Sequence, residues 1–219
     1  MSREVVSTAA AGGGRALAAA TAAVAVARRA AKPLHPRGDV VRGVLRRSGT
    51  PATPPAWCDE AGEDDVLVRR SRSLGLPPYL PDIQGLAVRV PVPEGHADLL
   101  FAGTGFGHLT RFLLTPSRTP GGRPMTTLLP YRSPHGPLLL GAKHLSATRL
   151  VLLCASPAGR WQRFGDLTLG DVADAEDAEI TFDPLLHTAP GLENYPWVER
   201  LREPAYVTAR RTSGRPAPR

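Results

Sequence analysis

The sequence predicts a mainly β fold, an antiparallel sandwich or closed barrel with helices flanking it at either end. Three observations predict it. Glycine and proline, 22 and 23 residues, make about a fifth of the chain, and that density of turn formers favours many short elements over long helices. From residue 39 onward, apolar runs of strand length recur between the breakers, and the run at 86–92 alternates as a half-buried strand should. No alternation of strand and helix is visible, which counts against a doubly wound nucleotide-binding fold, and the lone Gly103-Thr104-Gly105 is no fingerprint of one.

Taken in order, residues 1–14 read as disordered and 15–31 as helical. Residues 16–27 form an apolar stretch of 12, rich in Ala and flanked by arginines. That is too short to span a bilayer, and an Ala-rich helix explains it better than a signal peptide. No transmembrane segment and a cytoplasmic location are therefore expected. Strands are expected at 40–45, 66–71 and 86–92, then at 98–101, 111–114, 126–131, 137–141, 149–154 and 178–182. Residues 193–211 return to helical composition. Pro196 and Pro204 exclude one uninterrupted helix, and Pro204 suits the first turn of a short last one. Residues 212–219 read as a disordered basic tail, leaving 15–211 as a single domain.

Hydrophobic residues make 42% of the chain, enough for a core. The net charge is +7 and the pI about 10.2. Much of the excess sits in Arg28-Arg29, Arg46-Arg47, Arg69-Arg70 and the tail after Arg210. No basic stripe is interleaved with exposed aromatics, so no specific nucleic-acid partner is expected. Cys154 lies in an apolar run and reads as a buried reduced thiol; Cys58 lies in a Pro-rich loop, and a disulfide between the two stays open. The acidic residues Asp59, Glu60, Glu63, Asp64 and Asp65 read as a solvated loop. Five of the six histidines, His96, His108, His135, His144 and His187, sit by turn residues and read as surface groups. No hydrolase, metalloprotease or phosphate-loop motif is present.

One ordered set of segments stands apart. Lys32-Pro33-Leu34-His35-Pro36-Arg37-Gly38 with Gly43 is followed by Val68-Arg69-Arg70-Ser71-Arg72-Ser73-Leu74-Gly75. Then come Asp82-Ile83-Gln84-Gly85-Leu86-Ala87 and Gly95-His96-Ala97-Asp98-Leu99, the looser Met125–Arg132, and finally Arg202-Glu203-Pro204-Ala205-Tyr206 with Arg210 and Arg211. In content, order and spacing these resemble the haem catalases. Their segments read Arg-x-x-His-x-x-Gly, Val-Arg-Phe-Ser-x-x-x-Gly, Asp-x-x-Gly-Phe-Ala, Gly-x-x-Asp-Leu, Thr-Pro-Tyr-Arg and Arg-x-x-x-Tyr. The resemblance covers about 32–211 with gaps.

The resemblance implies a catalase-like antiparallel β-barrel that binds haem b with ferric iron. It implies Tyr206 as the iron ligand, with Arg202 favouring its phenolate. His35 becomes the distal proton carrier, oriented by Ser71. Lys32, Arg69 and Arg210 or Arg211 become the partners of the haem propionates. A phenolate is the ligating form of a side chain whose ordinary pKa is about 10, and a nearby guanidinium favours it. Two departures matter. Lys32 replaces an arginine, and Gly103 stands where the family has a distal Asn. The activity implied is that of a haem peroxidase, or of an enzyme rearranging an organic hydroperoxide, rather than of a true catalase. The partners are then haem and a peroxide or small hydrophobic hydroperoxide, with a homo-oligomer possible. The alternatives are a haem-binding protein or sensor without turnover, and a haem-free barrel acting on or binding a phosphodiester or other anionic ligand.

Overall fold

The computed structural model describes residues 38–172 and 180–202. The expected N-terminal disorder, the Ala-rich helix and the basic tail lie outside them. Nine strands follow one another: β1 (Gly38–Ser48), β2 (Ala61–Arg72), β3 (Gln84–Val92), β4 (Gly95–Gly103), β5 (Met125–Thr126), β6 (Tyr131–Ser133), β7 (Gly136–His144), β8 (Arg149–Ala155) and β9 (Gln162–Val172). They join in the order β5-β4-β3-β2-β1-β9-β8-β7-β6, every pair antiparallel. A further pairing of β5 with β7 closes eight of the strands into a barrel, leaving β6 as an arm on β7. Closure removes the free edges that an open sheet would expose.

Side chains alternate across each strand, and the inward set fills the barrel. Val66 and Val68, Leu86, Val88 and Val90, and Ala97, Leu99 and Phe101 are all buried in one core with Leu140, Leu150, Leu152 and Leu167. Below them, the 3₁₀ turn Trp57–Asp59 stops one mouth. Trp57 meets Phe164 edge-on at 6.0 Å, and Arg47 donates to the Trp57 carbonyl at 2.6 Å. Both Cys58 and Cys154 are buried free thiols.

Several expected elements differ. The run 111–114 is not a strand but enters the 3₁₀ turn Thr110–Phe112. The run 126–131 divides because Leu128 adopts a positive φ of 63°, so that β5 ends before it and β6 starts at Tyr131. Residues 180–182 carry no strand. The acidic loop is largely strand: Glu63 and Asp64 lie in β2 and pair across it with Arg46 and Arg47. Strand β9 was not expected. An extra residue at Phe164 shifts its register against β8, so its buried side chains, Phe164, Leu167 and Leu169, do not keep a period of two.

Arg111 is buried, 2% exposed, with no carboxylate partner among the described residues. Its guanidinium donates to the carbonyls of Gly107, Ser156, Gly159 and Phe106 at 3.0–3.3 Å. It also lies 4.8 Å from the Trp161 ring, which stacks on Phe106. One planar fork therefore joins two loops. Arg111→Leu is expected to cost about 2–4 kcal/mol, because it orphans several acceptors at once. Lysine should not restore the loss, since a point charge cannot serve carbonyls from both loops. Urea denaturation checks this, and an unchanged midpoint would refute it.

Candidate functional site

The β2 alternation decides which side of the wall each candidate occupies. Val66 and Val68 point inward, so Arg70 and Arg72 point toward the barrel mouth, while Arg69 and Ser71 stand on the outer face. Register then sets Ser71 in a row. Gly38 pairs with Ser71, Ser71 with Gly85, Gly85 with Ala102 and Ala102 with Thr126. Four adjacent strands thus present nothing larger than a serine, along a row of roughly 14 Å at the usual strand spacing; Thr126, next in the row, is fully buried and donates to the Arg111 carbonyl at 2.7 Å. The next row on the same face reads Val40, Arg69, Ala87 and Leu100. The result is a mostly apolar floor of largely small side chains, with Arg69 as its one cation among the described residues.

Cations stand at both ends of this floor. A Cβ on Gly38 would lie 2.8 Å from Arg69 Cζ and from the Arg70 carbonyl, so the glycine makes room for the Arg69 guanidinium. At the other end Arg202 Nη2 donates to the Thr127 carbonyl at 3.1 Å, one residue beyond Thr126. Arg202 belongs to a helix over 196–202. Pro196, not Pro204, occupies its first turn, so Arg202 lies inside a helix and not ahead of one.

That helix is delivered by a segment tied to the outer face of β3 and β4. Asp98 takes Arg89 Nε at 2.7 Å and Nη2 at 2.8 Å, and Arg89 also donates to the Thr181 carbonyl. The backbone N–H of Asp183 donates to Asp98 Oδ2 at 2.7 Å, and the Asp98 N–H to the His187 carbonyl at 2.9 Å. Residues His96 and His187, expected at the surface, are partly buried with ring centroids 4.1 Å apart. Beyond them the backbones of Arg132 and Glu193 bond reciprocally. Tyr131 is buried beside this junction; burial pushes its hydroxyl pKa up, and the charge of Arg202 pulls the other way.

Of the expected site residues, the structure brings Arg69 and Ser71 together on one face and sets Arg202 at its far end. Lys32, His35, Tyr206, Arg210 and Arg211 lie outside the described residues. Gly103 does not face this floor. It follows Phe101 on the inward side, and a Cβ there would stand 3.0 Å from the Thr115 carbonyl, so that packing leaves little room for an Asn. The Arg89–Asp98 anchor and the floor of small residues are not visible in sequence, because both depend on strand register. Among the described residues no group of three His, Cys, Asp or Glu could hold a metal ion. Nor is any helix among them long and apolar enough to cross a membrane.

Solved structures share this architecture. A bacterial catalase matches with a TM-score of 0.60 at 12% identity, over 82% of this chain and 56% of that one. Catalase A from Saccharomyces cerevisiae matches with a TM-score of 0.57 at 11% identity, over 82% and 60%. The chain therefore has a catalase-like fold, as its segments imply, while spanning less than two thirds of either catalase. No family model matches the sequence, and no curated protein does.

Proposed function

We propose that the chain is a haem-binding oxidoreductase that reacts with a peroxide or an organic hydroperoxide. The observation that carries this reading is the row Gly38, Ser71, Gly85 and Ala102, with the Arg69 guanidinium against Gly38 at one end and that of Arg202 beyond the other. Such a floor suits a planar, apolar ring that carries carboxylates. Arg69 would take one propionate through its fork, with Lys32 and Arg210 or Arg211 completing the set. Tyr206 follows Arg202 by four residues. That tether spans at most about 14 Å from an anchored point, which keeps the phenol within reach of the floor. The Arg202 charge would favour its ionised form. Haem, when bound, supplies the redox chemistry toward the O–O bond.

The chain's own residues do the rest. His35 would carry a proton from one peroxide oxygen to the other, and Ser71 would hold the imidazole in position. Val40, Ala87 and Leu100 make the neighbouring row largely apolar, which suits a hydrophobic hydroperoxide. With no Asn at position 103, a peroxidase or a hydroperoxide-rearranging enzyme accounts for the retained residues better than efficient disproportionation does.

The test is the visible spectrum of purified, haem-supplemented protein. Wild type should show a ferric Soret band that Tyr206→Phe greatly weakens and that Ala102→Leu, which raises the floor, also weakens. A Tyr206→Phe spectrum like wild type would mean that another group ligates the iron. A wild type without the band would favour the haem-free barrel.

A further inference from the structure

Arg70 stands where the resembling segment has Phe, and it points into the barrel's open mouth rather than onto the outer floor. A cavity of about 400 Å³ lies there. It is lined by Arg70 of β2, by Thr119 and Pro120 ahead of β5, and by His144, Leu145 and Ser146 at the β7–β8 turn. Gly121 packs the loop against His144, whose Cβ would lie 3.5 Å from a Cβ placed on the glycine.

Among the described residues the polar groups of this mouth lack full partners. Arg70 Nε is buried without a hydrogen bond to the described residues, and the guanidinium's ion pair among them is with Asp39, 4.0 Å away on a side chain that is 79% exposed. A contact that long to a solvated carboxylate is worth little. His144 Nδ1 lies 3.3 Å from the Ser146 carbonyl, which can only accept, so this nitrogen carries the ring proton. Its Nε2 has no partner among the described residues. Burial and the neighbouring Arg70 charge hold the His144 pKa below the usual imidazole range, which favours the neutral ring. The Ser146 hydroxyl accepts from the Thr148 N–H, leaving its own proton to donate. The Thr119 hydroxyl makes no hydrogen bond to the described residues.

We propose that this mouth binds a phosphomonoester, with Arg70, Thr119 and Ser146 donating to the phosphate and His144 Nε2 accepting from it. Residues carrying a cation, two hydroxyl donors and one imidazole acceptor line the same space. Sulfate or carboxylate could use the donors but brings no proton for Nε2 near neutral pH. A phosphomonoester, whose second pKa of about 6 keeps part of it monoprotonated near neutral pH, does both. Pro120 and Leu145 would lie against the ester's carbon skeleton. The site is on the opposite side of the wall from Arg69 and Ser71 and does not depend on haem.

Isothermal titration of the full chain with inorganic phosphate and with glycerol 3-phosphate tests it, with sulfate at matched ionic strength as control. Both phosphates should bind at least about tenfold more tightly than sulfate, and Arg70→Gln should lose at least that factor, the size of one charge-assisted hydrogen bond. Arg118→Gln, an exposed cation of the same loop, should bind as wild type. The double variant Thr119→Val/Ser146→Ala should also weaken binding, which guards against misfolding of Arg70→Gln. Phosphatidic acid vesicles separate the sources: co-sedimentation that needs Arg70, without binding of glycerol 3-phosphate, would assign the phosphate to a lipid headgroup. Equal affinity for sulfate, no loss in Arg70→Gln or an equal loss in Arg118→Gln would overturn the proposal.

Discussion

Replacing His35 by Ala is expected to slow the reaction with peroxide by about 10²–10⁴-fold, the usual weight of a positioned general acid–base group, while the Soret band stays. Residue 35 lies outside the described residues, but covalent geometry confines it. It is three residues from Gly38, a distance of at most about 11 Å, and Gly38 pairs with Ser71 in the row that forms the floor. Under the proposed function Ser71→Ala should cost less, roughly tenfold, because it would remove one hydrogen bond that positions the ring and not the ring itself. Stopped-flow traces of the haem-loaded protein, with the spectrum recorded on the same sample, separate the possibilities. A His35→Ala rate equal to wild type would leave a haem carrier or sensor and remove the enzyme.

The barrel was legible because most of its strands keep an alternation of period two between strong breakers. Val88 and Val90, or Leu99 and Phe101, announce both a strand and its inward face. Legibility failed where local chemistry breaks the period. The extra residue at Phe164 hid β9, the left-handed Leu128 divided one run into β5 and β6, and a buried arginine turned the apolar run at 111–114 into a 3₁₀ turn. The candidate site divides along the same line. Arg69, Ser71 and Arg202 are singled out by a resemblance of segments, which needs only linear order. Their common floor is not, because nothing in a sequence says that Ser71 stands between Gly38 and Gly85. Arg70 is the opposite case. It was visible as half of a basic pair, but its inward direction follows only from the strand it occupies.

Asp98→Ala is expected to destabilise the fold by about 3–5 kcal/mol, the cost of breaking a buried ion pair from one side. The carboxylate is fully buried and takes three donors: two from Arg89 and the Asp183 N–H. Truncation would leave Arg89, itself only 19% exposed, charged and without its carboxylate. The double variant Asp98→Leu/Arg89→Met removes both charges and should recover most of the loss, since an apolar pair of similar volume is often neutral against a buried salt bridge. The same variants report on the site. Asp98 holds residues 181–187 to the outer face, and that segment leads into the helix that sets Arg202 against Thr127. Releasing it should weaken haem retention in Asp98→Ala even below its unfolding transition, and it should expose the segment to limited proteolysis. The double variant lacks the carboxylate that receives the Asp183 N–H, so it should regain stability without regaining full protection of the segment. A single variant that loses less than about 1 kcal/mol, with unchanged protection, would mean that the outer face holds this segment by apolar contact alone.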